Sequence, residues 1–239
     1  MSAEDVAGLM GVGEATVWRW CREGNLPCLK VGKHWRVRRE ALEDFLRRSE
    51  RPDTLVGQLR SFLQVPDNVL VIAQNLDILH RLDAAYFQVG EAQNGLLVKV
   101  YGGDEDSGDE LRAQFEENGL EVERLEREER FRMKPDDPRV ERGEVLGQLF
   151  EEMEGEGRTV WAAFDWAMQV DLDTALEQQE KLIEVVDARQ LVVKTAALEE
   201  AIDEWSAAEL RRAQSAHSGT IFASETRLLL SRATPMLPS

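Results

Sequence analysis

TVWRWCREGNLPCLKVGKHWRVRREAL, residues 16–42, decides how the chain is organised. Up to Arg39 it carries seven Lys or Arg against one Glu, within a chain of 239 residues whose formal net charge is −17. Dividing the chain at residue 50 locates the asymmetry. The first 50 residues hold nine Lys/Arg and eight Asp/Glu, and the rest hold 20 and 38. A module near neutrality with its cations concentrated in one stretch, attached to a strongly acidic body, points to a small domain that meets a polyanion. The boundary is expected at RRSERPDTL, where a charged helix end meets Pro52.

The local patterns around that stretch predict three helices and a hairpin. Ser2 can cap a first helix with Asp5 three residues on, Val6, Leu9 and Met10 recur at helical spacing, and Gly11 ends it. GVGEATVWRWCREG then reads as a turn and a second helix over about Glu14 to Glu23, closed by Gly24. Two short helices joined by a glycine turn outline a helix-turn-helix. Val17 and Cys21 are expected inward, and Ala15, Thr16, Arg19 and Arg22 outward, where small residues admit a groove and arginines reach phosphates or guanine edges. Segments 28–31 and 34–37 around a GK turn predict a hairpin. Lys30, Lys33, His34 and Arg36 are expected along one exposed rim, with Leu29, Val31, Trp35 and Val37 packing. RREALEDFLRR predicts a third, amphipathic helix with Ala41, Leu42, Phe45 and Leu46 inward. At least two of Trp18, Trp20 and Trp35 are read as packing residues rather than base-stacking ones, Trp35 in particular.

SAEDVAGLMGVGEATVWRWCREGNLP followed by VGKHWRVRREALEDFLRR resembles the winged helix-turn-helix of MerR-like and excisionase-like families. The resemblance covers almost all of the first 48 residues. It implies binding to double-stranded DNA, with the second helix in the major groove and the hairpin, or wing, on the backbone or in the minor groove.

Composition bounds the remainder. With 43% hydrophobic residues the chain can bury a substantial core and hold one or two domains. No apolar run approaches the roughly 20 residues needed to cross a bilayer, and MSAEDVAGLM lacks the blocks of a signal peptide, so a cytoplasmic location without membrane contact is expected. Cys21 and Cys28 form no C-x-x-C and have no histidine at metal-ligand spacing. They read as buried thiols, with neither a disulfide nor a zinc site expected.

Beyond residue 66, apolar runs alternate with amphipathic segments. Val69 to Ala73, Leu96 to Val100, Val160 to Phe164 and Leu191 to Val193 are continuously apolar, as parallel strands buried on both faces are. The expected fold class is α/β: a winged helix-turn-helix over residues 1–50, a linker helix within 51–66 that could also dock on the sheet, and a three-layer domain with a mostly parallel sheet over 67–239. Ligands of such sheets collect where strands end at their carboxyl edge. There, AQNLD (73–77) contains neither G-x-x-x-x-G-K-[ST] nor G-x-G-x-x-G, and Asn75 can cap the next helix. GGDEDSGDE (102–110) reads as an acidic surface loop rather than a Ca²⁺ site. Asp165 follows a hydrophobic strand where ATPases keep a Mg²⁺-associated acid, but without a phosphate loop it reads as a helix cap or structural acid. His80 and His217 read as structural. No catalytic residue, metal site or cofactor is expected.

TVWAAFDWAMQVDLDTALEQQEKLIEVV, QLVVKTAALEEAIDEW and GTIFASETRLLL resemble the sensory domain of methanogen and methylotroph regulators, the MEDS domain. That domain is itself similar to a RecA/KaiC core without its phosphate loop. The resemblance spans roughly residues 65–232. It lacks that family's histidine-and-tyrosine opening and has VVKTAAL where C-x-Y-D stands. The combined expectation is a DNA-binding transcriptional regulator. One small winged helix falls short of the roughly 1,000 to 2,500 Å² that specific DNA interfaces bury, so a homodimer is expected, and the α/β domain would take a small-molecule ligand or protein partner. The alternatives are a nucleotide-hydrolysing or signalling-nucleotide enzyme tethered to DNA, and an excisionase-like architectural protein.

Overall fold

The computed structural model describes residues 1–232 except 33, 50–53, 103–104, 138–139, 141, 153–156, 166–171, 188 and 190. It divides into two compact units, Met1–Asp53 and Thr54–Ser239.

In the first unit, α1 (Ala3–Met10) begins at a reciprocal cap. Ser2 Oγ accepts from the Asp5 amide at 3.0 Å, and the Asp5 carboxylate accepts from the Ser2 amide at 2.7 Å. Gly11, at φ 64°, ends the helix in the left-handed region that glycine enters without a steric penalty. α2 (Glu14–Glu23) follows after a three-residue turn, then β1 (Cys28–Val31), β2 (His34–Val37) and α3 (Arg39–Ser49). Val6, Val17, Leu26, Val37 and Leu42 form a small buried core, with Trp20, Trp35 and Phe45 packed on it. The Trp20 and Phe45 rings lie 5.0 Å apart.

Two expectations for this unit fail. Cys21 and Cys28 are joined in a disulfide, their Cα atoms 5.4 Å apart, because the last turns of α2 and the start of β1 converge after the Gly24 reversal. The spacing of seven residues gives no sign of that convergence. The hairpin also presents its side chains differently. Directly opposed residues of an antiparallel pair share a face, and the register sets Leu29 opposite Arg36 and Lys30 opposite Trp35. Leu29 is therefore outward and 49% exposed, while Lys30 leans over the Trp35 ring at 5.7 Å.

The second unit is a seven-stranded sheet in the order β5-β4-β6-β7-β3-β8-β9. Its strands are β3 (Asp67–Ala73), β4 (Leu96–Tyr101), β5 (Phe131–Pro135), β6 (Val160–Asp165), β7 (Leu191–Leu198), β8 (Gly219–Ala223) and β9 (Leu228–Arg232). All pairs are parallel except β8 with β9. The helices are α4 (Leu55–Phe62), α5 (Leu76–Ala92), α6 (Glu105–Glu117), α7 (Val122–Arg127), α8 (Arg142–Glu152), α9 (Leu172–Asp187), α10 (Glu199–Ile202) and α11 (Ala207–Ser215).

Alternation along the strands builds the three layers. Trp161 and Ala163 of β6 pack with α4, α5, α6 and α7, whereas Val160, Ala162 and Phe164 pack with α8 and α9. Leu70 and Ile72 of β3 meet α9 and α11 on that second face. Helix α4, expected as a linker or a dock, belongs to this unit through fully buried Leu59. The acidic stretch expected to be a loop becomes helix α6 from Glu105 onward, with residues 103–104 outside the described ones.

Candidate nucleic-acid interface

The α1-turn-α2 unit sets one face of α2 outward. Glu14, Ala15, Trp18, Arg19 and Arg22 are exposed there, Thr16 is half-buried, and Val17 and Cys21 point into the core. Ala15, Trp18 and Arg22 stand three and then four residues apart, so they form one stripe along the helix. Gly13 precedes α2 without a side-chain cap, which leaves its first turn accessible to an acceptor from outside.

The wing flanks this face. Arg36 is exposed from the outer side of β2, and Lys30 is exposed beside Trp35. Lys33 and the side chains of Val31 and His34 lie outside the described residues, though the backbones of Val31 and His34 are in β1 and β2. The start of the chain ties into the wing: the Met1 amino group donates to the Val37 carbonyl at 2.9 Å, and Ser2 bridges to Arg36. Between α2, the first residues of α1 and the wing lies a concavity of about 650 Å³ lined by Ser2, Glu4, Ala15, Trp18, Arg22 and Arg36, among others. The hairpin register splits the expected rim: Arg36 projects from one face and Lys30 from the other. Of the three tryptophans, at least two of which are expected to pack, Trp20 and Trp35 lie on the hydrophobic core, whereas the Trp18 indole is 45% exposed and lies outside it. Its place on the Ala15–Arg22 stripe is the signal available in the sequence.

At the carboxyl edge of the second unit, Asn75 Oδ1 accepts from the Ile78 amide at 3.0 Å and so caps α5. Asp165 is followed by residues 166–171, where any helix it caps would begin and which lie outside the described ones. It receives Lys99 Nζ at 2.5 Å, and Lys99 also reaches Asp83 at 2.7 Å. Lys194 pairs with the other Asp83 oxygen. Ala163 lies opposite both Lys99 and Lys194 in the register, so the two ammonium groups flank β6 at one level beneath α5. Asp83, Lys99 and Lys194 are buried, and the Asp165 side chain is one-third exposed.

Charge in this core is balanced unequally. Burial would raise the Asp83 carboxyl, but Lys194 and Lys99 outweigh it and hold it below the ordinary carboxylate value. Burial also opposes charge on Lys99, yet Asp165 and Asp83 together carry it above the usual lysine value. Burial prevails at Lys194, which is lowered despite Asp83. His80, half-buried nearby, is lowered by burial. His217 is buried, its Nδ1 lies 2.6 Å from the Ala213 carbonyl, and burial pushes it down to about 4. Among the described residues no group of three or more His, Cys, Asp or Glu is placed to hold a metal ion, and no helix is long and apolar enough to cross a membrane.

Comparison with known proteins divides along the same line as the structure. Residues 1–50 match the family model described as a helix-turn-helix domain. The N-terminal unit, with α1 and α2 joined by a three-residue turn, has the helix-turn-helix arrangement that this match describes. The second unit's fold is shared with a KaiC-like protein from the hyperthermophilic archaeon Pyrococcus horikoshii. That structure is 12% identical, with a TM-score of 0.52, over 71% of this chain and 80% of its own. No curated protein matches the chain.

Proposed function

We propose that this chain is a transcriptional regulator that docks α2 in the major groove of duplex DNA and lays the hairpin wing on the flanking backbone. The observation that carries the reading is the outward face of α2: Ala15, Arg19 and Arg22 exposed along a helix whose start has no side-chain cap, in a unit that matches a helix-turn-helix domain. Arginine forks suit guanine edges and phosphate oxygens, and a small residue near the helix start permits close approach.

Within this proposal the first unit is MerR-like or excisionase-like, and the second is a MEDS-like sensor that holds two copies together or takes a ligand or protein partner in the cytoplasm. The second unit acts without catalysis. Support comes from the carboxyl edge, where nucleotide hydrolases with a phosphate loop use backbone amides, a lysine and an Mg²⁺-associated acid. Here Asn75 caps α5 with its own side chain, and Asp165 is engaged by Lys99 from within. Both engagements favour a structural role for Asn75 and Asp165 over contact with a phosphate or Mg²⁺.

Selection of bound duplexes from a random library by the full chain tests the function. Enrichment of a sequence with two related half-sites, one helical turn or a multiple of it apart, is expected. Recovery of unenriched DNA at every salt concentration contradicts the regulator reading.

A further inference from the structure

Trp18 is a feature of the α2 face that phosphate binding leaves unexplained. Trp20 and Trp35 pack on the N-terminal core, whereas Trp18 stands outside it with 45% of its surface exposed. It shares its stripe with exposed Ala15 and Arg22, Arg36, Glu4 and Glu14 line the concavity beside it, and exposed Arg19 follows it on α2. The surface is thus an apolar patch, the indole and a methyl, set among Arg19, Arg22 and Arg36 with Glu4 and Glu14 on one side. An apolar patch with arginines beside it complements a polyanion that displays apolar groups between its charges.

Duplex DNA has one such group at its base edges in the major groove. The thymine C5-methyl stands there between hydrogen-bonding atoms and phosphates, and apolar side chains recognise it. Resting on the DNA-binding reading above, we propose that Trp18, with Ala15, is a specificity-determining contact that reads thymine methyl groups in the major groove, while Arg19 and Arg22 supply phosphate or guanine contacts. The target half-site then carries thymine at the one or two steps facing the middle of α2.

The test uses the full chain and its selected duplex, replacing each thymine in turn by deoxyuridine, which deletes only the methyl. At one or two positions the wild-type protein is expected to lose affinity about four-fold, the change that withdrawing one methyl from an apolar contact gives. Trp18→Ala is expected to bind the thymine duplex more weakly and to be indifferent to uracil at those same positions, with Trp18→Phe intermediate. Uracil at every position neutral to within about two-fold, while the wild-type chain still binds its selected site, overturns the proposal. So does a Trp18→Ala variant that keeps the wild-type uracil response. Neither result touches DNA binding itself, which fails separately if no duplex is selected. The uracil series needs no protein variant, so a folding defect in Trp18→Ala leaves it decisive.

Discussion

Replacing Asp83 by asparagine removes the carboxylate that stands between two buried ammonium groups. In the native core Lys194 pairs with Asp83, and Lys99 divides its charge between Asp83 and the partly exposed Asp165. Asparagine has nearly the same shape but no charge, so Lys194 would stay buried without its counter-ion, beside a second lysine. Removing one partner of a buried ion pair costs roughly 3–5 kcal/mol. For a unit of this size each kcal/mol lowers the melting temperature by roughly 2–4 °C, so a fall of about 6–20 °C is expected by scanning calorimetry. Lys194→Met should cost less, because Asp83 keeps Lys99. The double variant Asp83→Leu with Lys194→Met should recover part of the deficit, since hydrophobic replacement of a whole pair is often tolerated. An Asp83→Asn protein melting within about 3 °C of wild type would refute the reasoning.

Two further predictions concern the same unit. His217 is held near 4 against an ordinary 6.5, so its folded pKa is depressed and the unfolded chain binds the extra proton between those values. Stability is then fully present above about pH 6.5 and falls by about 3 kcal/mol as pH drops through 4, a decline that urea titrations should find flattened in His217→Asn. In α5, Gly90 lies against Trp161: an added Cβ would stand 2.6 Å from the indole Cγ and 2.8 Å from a Leu97 methyl, both side chains fully buried. Gly90→Ala is therefore expected to destabilise by about 1–2 kcal/mol in calorimetry despite its better helix propensity, because overpacking a tight contact outweighs that gain.

Much of the fold is legible in the sequence because local signals agree with the tertiary outcome. Ser2 with Asp5, Gly11 and Gly24 place the helix ends, and uninterrupted runs such as Val69 to Ala73 mark strands covered on both faces. What escapes depends on pairing across the chain. Whether Leu29 or Lys30 faces outward is set by the register Leu29 to Arg36, which a four-residue strand leaves open. The disulfide requires knowing that β1 returns alongside the end of α2. Lys99 and Lys194 sit within apolar strands and read as interruptions of a hydrophobic run. Two lysines in strands buried on both faces require an internal carboxylate, and Asp83 amid the apolar residues of α5 is the available candidate. Asp165 is engaged by Lys99 as a structural acid, one of the two roles its sequence context suggests, and the cap alternative falls on residues 166–171, outside the described ones.

The central claim is that Arg19 and Arg22 on α2 meet DNA. Its most direct measurement is the dependence of binding on salt for the wild-type chain and for Arg19→Ala with Arg22→Ala on the same selected duplex. If both side chains neutralise phosphates, the slope of log K against log salt should become shallower by about 1.8, roughly 0.9 for each phosphate left without its arginine. If one of them reads a guanine instead, the slope should change by about 0.9, with the remaining weakening confined to duplexes that keep that base. A double variant with unchanged affinity and unchanged slope would contradict the account.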